Sequence, residues 1–173
     1  MSIKKLAGLA ACALMLLGTA AAGAQDGMAY GRSQAPAALE GTWDVVITPY
    51  ACSNANVTFP SFRSRLMFNA GGTMIESPFN PSFQPGQRSH GLGTWERTGR
   101  ESYRALFEAF IYFTSVVTPP TPPRYLRGVQ RIDQGIEMQG TDRWTSSAQV
   151  TAVDEAGSPY MAGCMTAEGT RQQ

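Results

Sequence analysis

From Gly41 to Arg171 the chain runs in short segments that alternate apolar and polar residues, rich in Val, Ile, Thr, Phe, Tyr and Trp and separated by Gly, Asn, Asp and Pro. A period of two puts successive side chains on opposite faces of a strand, and no segment sustains the stripe of an amphipathic helix. The pattern predicts eight strands, at 42–49, 62–69, 73–78, 91–98, 102–113, 125–138, 143–153 and 159–169. That many strands in about 130 residues fit a β-sandwich or a β-barrel. Residues 25–40 have no periodicity and mix Gly, Pro, Ser and Ala, the composition of a flexible lead-in.

The connections favour the barrel. Asn69–Gly72, Thr98–Glu101, Gly140–Asp142 and Asp154–Gly157 carry the residues that tolerate tight hairpins. The stretches 50–61, 79–90 and 114–124 are long. If the strands run up and down in order, all three long loops share one rim with the last hairpin, and the other rim carries only tight turns. The expected fold is therefore all-β, a single eight-stranded antiparallel up-and-down barrel over 41–171 without a major helix, with a closed base and a looped mouth.

Alternation assigns faces. Pairing across 140–142 puts Ile132, Ile136, Met138, Trp144, Val150 and Ala152 on one side, against Thr145, Ser147, Gln149 and Thr151 on the other. The same logic places Ala105, Phe107, Ala109, Ile111 and Gly128 inside and Arg104, Glu108, Arg127, Arg131 and Asp133 outside. Across Asn69–Gly72 it pairs Arg65 with Glu76 on the exterior and turns Leu66, Phe68 and Ile75 inward. Gln130, Ser146, Tyr160, Thr166, Glu168 and Glu96 fall inward, and Trp95 outward. The small inward residues leave room for a cavity, yet a packed interior obeys the same alternation. Phe110, Tyr112 and Tyr125 share the outer face, a patch suited to a weak homodimer.

The N-terminus carries Lys4 and Lys5, an apolar stretch from Leu6 to Leu17 and the small residues Ala22-Gly23-Ala24. This is the layout of a secretory signal peptide over 1–24, cut before Gln25, and it predicts a periplasmic or secreted protein. Leu9-Ala10-Ala11-Cys12 resembles a lipoprotein cleavage box, but a further apolar run follows Cys12, so simple export ranks first. Removal of the signal leaves Cys52 and Cys164, which in an oxidising compartment are expected to form one disulfide.

Charge narrows the function classes. Both lysines lie in the signal, so the remaining chain has 12 Arg against 13 Asp and Glu. Near-neutrality disfavours a nucleic-acid surface, and a chain without lysine forms neither a Schiff base nor a Walker-type phosphate site. One histidine, His90, supplies neither a zinc quartet nor a Cys-His dyad. No metal or cofactor is expected, and no segment after the signal is long and apolar enough to span a bilayer. Asn56-Val57-Thr58 is a glycosylation sequon and Pro119–Pro123 a stiff connector.

Gly41-Thr42-Trp43, at the start of the first strand after an unstructured lead, resembles the Gly-x-Trp signature of the lipocalins and the wider calycin superfamily. The resemblance implies an eight-stranded up-and-down barrel in which Trp43 plugs the closed end under an arginine near the end of the last strand, here Arg171. Gly93-Thr94-Trp95 repeats the triplet. The function expected is binding of a small, mostly hydrophobic molecule inside the barrel, with Trp43, Leu66, Phe68, Phe107, Ile111, Gln130, Trp144 and Tyr160 as lining. One alternative is a barrel isomerase or cyclase similar to the allene oxide cyclases, with Glu168, Tyr160 and Gln130 as catalytic candidates. The other is a non-catalytic envelope interaction module.

Overall fold

The computed structural model describes residues 38–113 and 128–173; the signal segment, most of the lead-in and the proline-rich connection lie outside them. Nine antiparallel strands follow in chain order: β1 (Gly41–Ala51), β2 (Asn54–Thr58), β3 (Phe62–Phe68), β4 (Thr73–Phe79), β5 (Gly91–Arg97), β6 (Ser102–Ile111), β7 (Gly128–Met138), β8 (Arg143–Asp154) and β9 (Pro159–Arg171). Each of β1 and β3–β9 pairs with its neighbour, and β1 also pairs with β9, closing an eight-stranded barrel. The described residues contain no helix. The ninth strand, β2, folds back only on the end of β1, within a stretch that reads from sequence as loop.

The faces of β7 and β8 follow the expected register, with Ile132 opposite Val150 and Met138 opposite Trp144. Here three residues, Gly140–Asp142, separate the last bonded pair, Gln139 and Arg143. Two other hairpins also have three-residue loops where sequence reading allowed two. Asn69 bonds Thr73, and Thr98 bonds Ser102. One added residue turns every following side chain to the opposite face. Leu66 therefore stands opposite Glu76 and Arg65 opposite Ser77. The expected Arg65–Glu76 exterior pair does not form: Arg65 bonds Asp44 outside, Glu76 is buried, and Ile75 is turned out in favour of Met74. Likewise Trp95 is buried opposite Ala105, and Glu96 faces solvent.

A third correction lies in β9. Its pairing with β8 slips by one residue between Ala152 and Val153, a bulge opposite Tyr160. Beyond it Ala167 and Gly169 point inward, so Thr166 and Glu168, expected inside, face out, and Tyr160 is 42% exposed.

Candidate functional site

The tight-turn end of the barrel is filled. Trp43 is fully buried, donates from Nε1 to the Leu39 carbonyl at 2.9 Å, and meets Trp144 edge-on with ring centres 6.1 Å apart. Phe68, Trp95 and Tyr103 continue the floor at centroid spacings of 6.0 and 5.8 Å. Arg171 caps it from outside, its guanidinium carbon 4.2 Å from the Trp43 ring centre. Its Nη1 donates to the Glu40 carbonyl at 2.7 Å and its Nη2 to the Thr141 carbonyl at 2.9 Å. Gly41 (φ 123°) makes room: a Cβ there would lie 2.8 Å from Arg171 Nη1.

Above this floor, toward the looped rim, lies a cavity of about 60 Å³. One water needs about 10–15 Å³. Its wall is mostly apolar, with Val45, Ile47, Leu66, Phe107, Ile132 and Ala148 among the lining residues. Polar groups interrupt it on two facing walls, Ser64 and Glu76 on β3 and β4 and Gln130, Gln134 and Ser146 on β7 and β8. Arg88 enters from the β4–β5 loop, where it forms a bridge with Ile111, and its Nη1 donates to Glu76 Oε2 at 2.7 Å. Both side chains are only 5% exposed. Arg88 Nε donates to Gln130 Oε1 at 2.6 Å, Ser64 Oγ donates to Glu76 Oε1 at 3.2 Å, and Gln134 Nε2 donates to Ser146 Oγ at 2.7 Å. The loop is itself anchored: Gln87 is buried and bonds the Phe113 carbonyl, while Ser89 N bonds the Phe110 carbonyl.

Of the residues expected to line a cavity, Leu66, Phe107 and Gln130 do so. Trp43, Phe68 and Trp144 belong to the packed floor, Ile111 is buried beside the loop bridge, and Tyr160 is on the outer side of the β9 bulge. Of the three catalytic candidates only Gln130 faces the cavity; Glu168 is on the exterior. Of the polar groups that interrupt the cavity wall, the alternation as read from sequence turns only Gln130 and Ser146 inward. Gln134 shares its strand parity with Ile132 and Ile136, a signal that was present. Arg88 sits in a loop, where no period reveals direction. On the outer wall Phe110 is 49% exposed and lies 6.4 Å from Tyr112; Tyr125 is outside the described residues.

At the same rim Cys52 and Cys164 are joined, with Cα atoms 5.1 Å apart. The disulfide lies at the β1–β9 seam, where Cys164 pairs with Tyr50, next to Met165 in the cavity wall. A disulfide is a feature of oxidising compartments. No helix among the described residues is long and apolar enough to cross a membrane.

No protein-family model matches the chain, and no curated protein matches it. Among solved structures, that of EF1p2_mFAP2b bound to DFHBI is similar, with 15% sequence identity over 78% of this chain and 94% of the other and a TM-score of 0.50. This likeness is one of fold, a small β-barrel.

Proposed function

We propose that this protein is an exported, calycin-like barrel that binds a small, mostly hydrophobic molecule beneath its looped rim. The observation that carries this reading is the cavity: a mostly apolar chamber over a packed floor, with a few polar groups converging on it, the usual make-up of a small-molecule site. The Trp43–Arg171 plug supports the calycin-like part, and the similar barrel solved with DFHBI offers a parallel for holding a small molecule. Export rests on the signal-like N-terminus and agrees with the disulfide. Binding ranks above catalysis because two of the three catalytic candidates face away from the cavity.

The test is native mass spectrometry of the mature protein purified from its own host. A chain beginning at Gln25 with an added small mass that leaves on denaturation is the expected result. A bare chain, showing no stabilisation by any member of a hydrophobic small-molecule library, would overturn the binding reading, since a ligand of the folded state must raise stability.

A further inference from the structure

Charge in the cavity is balanced, whereas hydrogen bonding is not. The Arg88 guanidinium and the Glu76 carboxylate form an ion pair at 2.7 Å. Arg88 spends Nε on Gln130 and Nη1 on Glu76 and the Ser89 carbonyl, which leaves Nη2 without a partner among the described residues. The bond from Nε also fixes the Gln130 amide, since only its oxygen can accept there. Gln130 Nε2 is thus directed away from Arg88 and has no partner among the described residues either, although Gln130 is 94% buried (6% exposed). Both residues line the cavity. Beside the ion pair the chamber therefore holds two donors, Arg88 Nη2 and Gln130 Nε2, set together on the two residues that share the Nε–Oε1 bond.

From this we infer that the barrel selects a neutral ligand whose polar end is a hydrogen-bond acceptor, a carbonyl compound such as a ketone, ester, lactone or amide, received by Gln130 Nε2 and Arg88 Nη2. A carboxylate would set a second anion beside Glu76 away from water, and an ammonium would face Arg88; both are opposed by like charge and by desolvation. The inference rests on the binding reading above and specifies the class of ligand.

Four probes sharing one ring test it: cyclopentanone, cyclopentane, cyclopentanecarboxylate and cyclopentylamine, titrated into the full mature protein and followed by NMR. A net gain of about one hydrogen bond corresponds to roughly tenfold in affinity. Cyclopentanone is expected to bind about tenfold more tightly than cyclopentane, and the two charged rings more weakly than either. In Gln130→Leu, which removes one of the two donors, the ketone should lose part of its advantage over the hydrocarbon. In Glu76→Gln, which frees the Arg88 charge, the carboxylate should gain at least about tenfold. Equal binding of ketone and hydrocarbon, or a carboxylate that matches the ketone, would overturn the inference while leaving the binding reading intact. Failure of all four probes, the hydrocarbon included, would count against the binding reading itself. The wild-type panel decides between these outcomes even if a variant fails to fold.

Discussion

The guanidinium of Arg171 lies over Trp43, 4.2 Å from carbon to ring centre, and covers the base of the barrel while donating to carbonyls of the lead-in and of the 140–142 turn. A partly exposed cation–π contact is worth about 0.5–2 kcal/mol, and hydrogen bonds from a charged donor about 1.5–3 kcal/mol when buried. Arg171→Lys, which keeps the charge but loses the planar fork, should destabilise the fold by about 2 kcal/mol in urea denaturation. Gly41→Ala should cost a similar amount, because its φ of 123° is strained for alanine and the new Cβ would press on Arg171 Nη1. The two changes share one contact, so the double variant should cost clearly less than their sum.

This plug shows what the sequence made legible. Trp43 and Arg171 are legible through the resemblance that the Gly41-Thr42-Trp43 triplet carries, and the strands declare themselves by alternation. Two cysteines left after the signal-like segment declare the disulfide. What alternation does not carry is the loop count. The hairpins after Phe68 and Arg97 each hold one residue more than the shortest turn compatible with their sequence, and the β8–β9 bulge adds another. Each extra residue inverts a face, which is why Glu76 and Trp95 are found inside and Glu168 outside. The hidden polar groups of the cavity follow from that inversion, together with Arg88, whose loop has no period to read.

Glu76 and Arg88 form a pair whose members depend on each other. Removing one leaves the other buried and uncompensated, which costs about 3–5 kcal/mol, whereas replacing both with apolar residues of similar size is often neutral or stabilising. Arg88→Met alone should therefore lower stability by about 3 kcal/mol, and Glu76→Leu combined with Arg88→Met should recover most of it. Additive losses in chemical denaturation would contradict the geometry.

Gly169 stands opposite Trp144, and a Cβ there would fall 2.1 Å from the indole ring. Overpacking of this kind costs about 1–3 kcal/mol. Gly163, six residues earlier on the same strand, has nothing within 4 Å of the added carbon. Gly169→Ala should lower the melting temperature by several degrees and alter tryptophan fluorescence, while Gly163→Ala should leave both nearly unchanged.

The Cys52–Cys164 bond spans 112 residues of sequence. Chain-entropy arguments assign a loop of that length about 4–5 kcal/mol. Intact mass should be about 2 Da below that of the reduced chain, as two hydrogens leave when the sulfurs join. The Cys52→Ser/Cys164→Ser variant should lose several kcal/mol, and it should lose most protection from hydrogen exchange along the β1–β9 seam at the mouth.

The outer wall offers a test by pH. Arg104 donates from Nη2 to Asp133 Oδ2 at 2.6 Å and from Nε to Oδ1 at 2.9 Å, and these bonds hold the Asp133 carboxyl below its usual range. A carboxyl with a lowered folded-state pKa adds stability at pH values above its unfolded value, near 3.9, and that contribution fades as pH falls toward the lower folded-state value. Asp133→Asn should therefore be less stable than wild type by a constant amount at neutral pH. The gap should begin to narrow below about pH 4 and vanish once the wild-type carboxyl is protonated. With both side chains about half exposed, the gap should be small and should shrink in salt. A gap that widened on acidification would mean that Asp133 is protonated more easily in the folded protein than in the unfolded chain, the reverse of what a bidentate guanidinium imposes.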